Sequence, residues 1–197
     1  MPGSVSIESM LQAVERVRAR VKKVAAALDT AGIAYRVIGA NAVAAWIQKV
    51  DPGAARSTAN VDLLVNRADL PAIKNAMRGL GFERVDLRRL IMFKDPQESS
   101  VRSGVHLFFA GEKVRHSYTV AAPSTAESVR DSQGFVMLDL PALVRMKLTS
   151  YRLKDAVHIQ DLLSVGLIDE RVRTSLPPEL AARLAEVEQT MRDEEAH

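Results

Sequence analysis

From Ile7 to Asp29, apolar residues recur every three or four positions: Ile7, Met10, Leu11, Val14, Val17, Val21, Val24 and Leu28. That spacing predicts an amphipathic helix, with Ser6 as its cap and Gly32 just past its end. Arg16, Arg18, Arg20, Lys22 and Lys23 crowd its middle and predict a solvated basic face. A short apolar run, Ala34 to Ile38, then reads as a strand broken at Gly39. A second helix follows from Asn41 to Gln48 and stops before Asp51-Pro52-Gly53.

Val61 to Val65 reads as the next strand. Asp69 and Pro71 predict the start of a third helix, which runs to Arg78 and is stopped by Gly79 and Gly81. Three strands are expected around Phe82 to Asp86, Leu90 to Lys94 and Val105 to Ala110, with a turn at Glu98 to Gly104. Val114 to Ser132 has no clear period and reads as loop or edge structure. Phe135 to Leu138 reads as a short strand. Asp139 and Pro141 then open a helical region reaching Val165, with a break near Lys154-Asp155, and Ser175 caps a last helix. The pattern predicts an α+β fold: a mixed sheet of about five strands flanked by helices, then a C-terminal helical subdomain. The boundary is expected at residue 138, giving units of 1–138 and 139–197.

Composition narrows this picture. The 197 residues are 47% hydrophobic and 26% charged, values of a globular chain. There is no cysteine, which excludes disulfides, thiolate metal sites and a cysteine nucleophile. Apolar runs are short and broken by charge, so no membrane span is expected. The opening residues lack a basic head and an apolar run, so a cytoplasmic protein is expected. Net charge is +3, but the segment from Leu176 onward carries −4, which leaves +7 on the body. A basic body suits anionic partners such as nucleotides or RNA, and is equally the charge of an ordinary mixed surface.

Candidate chemistry gathers at three places. Gly39-Ala40-Asn41 puts small residues at a strand-to-helix turn, where free N–H groups and the helix dipole favour a phosphate. Arg56, Thr58, Asn60 and Asp62 follow in the loop and strand after that helix. Asn60 and Asp62, two apart, point to one face of a strand. Asp62 is placed to hold a divalent cation, or to cap a turn or pair with Arg56. Further on, Lys147, Tyr151, Lys154 and His158 share one face if their helix is continuous, with Asp155 and Asp161 nearby.

Gly39-Ala40-Asn41 followed by Arg56-x-Thr58-x-Asn60-Val61-Asp62 resembles the signature of the polymerase-β-like nucleotidyltransferase superfamily. The stretch Met146 to Asp155 is similar to a later helical motif of its small bacterial branch, which includes the AbiEii-type toxins. The resemblance covers roughly residues 34 to 165. It implies a nucleotidyltransferase fold and transfer of a nucleoside monophosphate from an NTP to an acceptor, with RNA, a protein hydroxyl and a small molecule as the open alternatives. It assigns Asp62, Lys147 and Asp155 to catalysis. Gly39, Ala40, Asn41, Arg56, Thr58, Lys147 and Arg152 would hold the nucleotide. Asp62, Asn60 and His106 would stand at the metal positions, for Mg²⁺ or Mn²⁺.

The chain departs from that signature at three positions. Asn60 stands where the first strand acid is usual, His106 where the third is, and Ala40 where a second glycine is. Two carboxylates of a triad are thus replaced, and a hard cation such as Mg²⁺ loses oxygen ligands it prefers. A catalytically degenerate protein that binds a nucleotide, RNA or a protein partner is the alternative expectation.

Overall fold

A computed structural model describes residues 7–54, 58–87, 90–98 and 103–196. Arg56, Ser6 and most of the turn expected at Glu98 to Gly104 lie outside the described residues. The chain begins with α1 (Ile7–Thr30), β1 (Tyr35–Ile38), α2 (Gly39–Gln48) and β2 (Val61–Val65). It continues with α3 (Leu70–Gly79), β3 (Glu83–Leu87), β4 (Leu90–Lys94) and β5 (Val105–Phe109). Two short strands follow, β6 (Ser128–Arg130) and β7 (Val136–Leu138). The helices α4 (Leu140–Ser150), α5 (Leu153–Ser164), α6 (Glu170–Thr174) and α7 (Pro178–Glu195) complete it.

The strands make one seven-stranded mixed sheet in the order β3-β4-β5-β2-β1-β7-β6. This is the expected α+β architecture, with seven strands in place of five. β7 is the short strand expected at Phe135 to Leu138, and the unexpected strand is β6, three residues inside the stretch without a period and too short for an alternating pattern to show. β1 runs antiparallel to β2, while β2 and β5 run parallel. The β2–β5 register sets Asp62 directly opposite His106, and the β1–β2 register sets Ile38 opposite Asp62. Residues opposite one another in a sheet point to the same face. Ile38, Asp62 and His106 therefore form a row across the strand ends.

β2 is buried on both faces: Val61, Leu63 and Val65 on one, Leu64 on the other. Helices α1 and α2 both pack on β1 and β2, and α2 also meets α4 and α5. Trp46 joins α2 to the sheet, its indole N–H donating to the Leu138 carbonyl at 3.1 Å. On α1, Arg20 is buried and belongs to no solvated basic face. Its guanidinium donates to Asp95, Glu98 and the Ala59 carbonyl, fastening the helix to the segment that leads into β2.

Several local expectations are corrected. The α4–α5 break falls at Tyr151-Arg152, not at Lys154-Asp155, because Tyr151 takes a left-handed conformation with φ 44°. Lys147, Tyr151, Lys154 and His158 thus share no continuous helical face. Ser175 closes α6 by donating to the Val172 carbonyl at 2.6 Å, and α7 begins without a side-chain cap. Asp69 does not cap α3; its carboxylate accepts from Asn66 instead. Asp139 does cap α4, accepting from the Ala142 N–H at 2.9 Å. Among the described residues, no helix is long and apolar enough to cross a membrane.

Candidate active site

The strand-end half of the site is built by backbone geometry. β1 passes into α2 at Gly39, whose φ of +70° is open to glycine at little cost. A Cβ at this position would overlap the Asp62 Oδ2 and approach the Asp62 Cβ to 3.1 Å. Gly39 is therefore required twice, once for the turn and once for the room it leaves the carboxylate. The other carboxylate oxygen, Asp62 Oδ1, lies 3.0 Å from His106 Nδ1. Asn41, on the first turn of α2, donates to the Asn60 carbonyl at 2.5 Å and ties that turn to the start of β2. The Asn60 side-chain oxygen is buried without a hydrogen-bond partner among the described residues.

The second half comes from the α4–α5 break. Lys147 is buried on α4, with Nζ 3.2 Å from Asp155 Oδ1 and 2.9 Å from His158 Nδ1. Asp155 is wholly buried and saturated: it accepts from Lys147, from Ser150 Oγ at 2.7 Å, and from Arg152 Nε at 2.6 Å. Arg152 and Asp155 also form a capping pair at the start of α5. Reversal of the chain at Tyr151 is what brings Lys147 and Asp155 together, eight positions apart.

Burial sets the electrostatics. It lowers the Lys147 pKa, and the attraction of Asp155 and Asp62 opposes this without cancelling it. For Asp155, burial pushes upward but is outweighed by the Arg152 hydrogen bond and the Lys147 charge, leaving the carboxyl well below its ordinary range. Burial, then the Lys147 charge, lowers His158 to about 4. The neutral His158 accepts from the Lys147 ammonium.

Both halves line one cleft. Gly39, Asp62, Lys147, Arg152 and Asp155 lie in its wall. His106 joins through Asp62. Ala40, Asn41 and Asn60 stand beside the cleft and do not line it, while Thr58 faces a separate cavity with Arg16, Arg20 and Glu98. Sequence reasoning missed the opposite wall: Phe108, Val114, Tyr118 and Val120. The loop bearing the last three is closed at its base by Gly111 and Ala122, whose backbones exchange hydrogen bonds with Ala122 and Glu112. Its one signal in the sequence was Tyr118, a lone aromatic ring in a polar stretch. Ser150 was also missed, although it follows Lys147 by one helical turn.

The residues present do not fit a pair of divalent cations. Among the described residues, no three Asp, Glu, His or Cys side chains converge as a cation site. Among the residues that line the cleft, Asp62 is the carboxylate supplied by the sheet, and one of its oxygens is engaged by an imidazole.

The architecture is that of a nucleotidyltransferase fold. The chain is similar to the antibiotic-resistance factor ANT(2″)-Ia, whose solution structure superposes with a TM-score of 0.59 at 14% identity, over 93% of this chain and 99% of that one. The crystal structure of ANT(2″)-Ia in complex with adenylyl-2″-tobramycin superposes with a TM-score of 0.54 at 14% identity, over 86% and 97% of the two chains. No family model and no curated protein matches the sequence.

Proposed function

We propose that this protein binds a nucleoside triphosphate in the cleft and transfers its nucleoside monophosphate to a hydroxyl of an acceptor. The observation that carries this reading is convergence. Gly39, Asp62, Lys147, Arg152 and Asp155 are scattered along the chain, yet all line one cleft. The Gly39 turn presents the N-terminus of α2 to a phosphate. Arg152 is half exposed at the cleft and offers a planar cation for the triphosphate. Lys147 adds charge from below, held by Asp155. Support also comes from the structural neighbour, which was captured with an adenylylated compound.

The Lys147-to-Asp155 stretch supports placing the chain near the AbiEii-like branch, and a cytoplasmic location belongs to the same reading. RNA and protein hydroxyls are the acceptor classes we favour. A Mg²⁺ or Mn²⁺ arriving with the triphosphate would find Asp62 as its one carboxylate ligand at the strand ends.

Calorimetric titration with ATP, CTP, GTP and UTP, each with Mg²⁺, with Mn²⁺ and with EDTA, tests the reading. Binding to the wild type that is lost in Asp62→Ala and in Arg152→Ala is expected. Absence of binding to all four nucleotides refutes it.

A second reading, a nucleotide-binding protein without transfer activity, is favoured by the missing carboxylates at Asn60 and His106. Labelled NTP that binds but is never turned over would select it.

A further inference from the structure

The donor set at the strand ends is wrong for a pair of cations and right for something else. We infer that Asp62 and His106 form a carboxylate–imidazole dyad, in which Asp62 positions the ring and His106 Nε2 takes the proton of the attacking hydroxyl without a metal. This rests on the transfer reading above.

Three observations carry it. Asp62 Oδ1 and His106 Nδ1 are 3.0 Å apart, and the parallel β2–β5 register fixes them side by side. A carboxylate oxygen can only accept, so in the neutral ring the proton sits on Nδ1 and Nε2 keeps its lone pair. Second, Nε2 has no hydrogen-bond partner among the described residues and is not sealed from solvent. Third, His106 lies on the same sheet face as Phe108, which lines the cleft, and its side chain is 13% exposed. The ring is thus held at one nitrogen and unbonded at the other, directly behind the Asp62 that lines the cleft.

The step balances without a cation as base. The acceptor oxygen forms a bond to the α-phosphorus, and its proton passes to His106 Nε2. The bond from that phosphorus to the bridging oxygen breaks, and pyrophosphate leaves with the electron pair. Arg152 and Lys147 are the positive groups of the cleft that face the departing charge. Asp62 is a positioning residue in this scheme, and His106 the catalytic one.

Nitrogen-15 NMR of the imidazole rings tests the dyad on the intact wild-type protein. His106 is expected as the Nδ1–H tautomer in EDTA, with no broadening on adding equimolar Mn²⁺. Asp62→Asn is expected to lose that single tautomer. An Nε2–H tautomer, a tautomer unchanged in Asp62→Asn, or strong Mn²⁺ broadening overturns the dyad, whatever the nucleotide does.

The base role is read separately, as pyrophosphate release from ATP with glycerol as a surrogate hydroxyl. Release in EDTA that falls at least about 100-fold in His106→Asn is expected. Release that requires Mg²⁺, or none under any condition, overturns it. Diethyl pyrocarbonate, which modifies an open imidazole nitrogen, separates the two levels. Labelling of His106 that ATP does not block supports the open ring but refutes nucleotide binding in the cleft. A ring that fails to label refutes the dyad itself.

Discussion

The two halves of the cleft hold their charges in opposite ways. At the strand ends, Asp62 is partly exposed and has one imidazole partner, supplied by strand register. At the helix break, Asp155 has no exposed surface and its partners come from three side chains. The first half is a surface with an open valence; the second is a closed knot. An open half can change its chemistry by substitution at small structural cost. A closed half cannot, because each member compensates the burial of another. The positions at which the sequence departs from the signature it resembles, Ala40, Asn60 and His106, all fall in the strand-end half, whereas Lys147, Arg152 and Asp155 belong to the closed one.

The comparison breaks most visibly at Asp155. Replacing it with Ala leaves the Lys147 ammonium buried without its carboxylate, and removes the acceptor for Ser150 and Arg152. The expected loss is about 3–5 kcal/mol in urea unfolding. Asp62→Ala is expected to cost less than about 1 kcal/mol while abolishing nucleotide binding. Equal losses in the two variants would show that the halves are not different in kind.

Acid titration sharpens the same contrast. His158 is lowered to about 4 in the folded protein, from an ordinary value of 6.5. Between those values the unfolded chain binds a proton that the folded chain does not. Stability contributed by the neutral ring is full above pH 6.5 and is lost as pH falls toward 4. The expected loss is about 3 kcal/mol over that window. His158→Gln should flatten this limb of the pH–stability curve. Asp155, also lowered, keeps its contribution until more acid pH, below its ordinary range. A curve for His158→Gln that still falls between pH 6.5 and 4 would assign the limb to another group.

Gly39→Ala probes the open half directly. The new methyl collides with the Asp62 carboxylate, and the backbone at φ +70° is strained for any side chain. Nucleotide affinity is expected to fall at least about tenfold, with a stability loss of about 1–2 kcal/mol. Unchanged affinity would place the nucleotide away from Asp62.

The difference between the halves also decided what was legible in the sequence. Strand β2 and the Gly39 turn could be read because local residue types dictate them: an apolar run, then a glycine where only glycine fits. The Asp62–His106 contact could not, because it depends on β2 pairing in parallel with β5, forty-four positions apart. Lys147 and Asp155 were found through their motif, but with the break expected near Lys154-Asp155, after the Tyr151 reversal at which it falls. The left-handed residue that folds them together is Tyr151, a type that seldom takes φ > 0, so no glycine signalled it. The apolar wall at Val114 and Tyr118 left no periodic trace because it is a loop.

The smallest expected effect lies at that reversal. Tyr151 Oη donates to Glu186 Oε2 at 2.7 Å, and the Arg183 guanidinium sits 5.3 Å from its ring centroid. Arg183 in turn donates to the carbonyls of Leu148 and Thr149, at the end of α4. Helix α7 thus holds the left-handed residue from outside the cleft. Burial and then the Glu186 hydrogen bond push the phenol up to about 12, so Tyr151 stays a donor across the physiological range. Tyr151→Phe removes that hydrogen bond, at an exposed partner, and the longer one to the Arg183 carbonyl at 3.4 Å, and keeps the ring over Arg183. The expected cost is about 0.5–1 kcal/mol in unfolding, with nucleotide affinity unchanged. A large drop in affinity would mean that the closed half is set by its anchor on α7 as much as by Asp155, and that its charges move together when the anchor is cut.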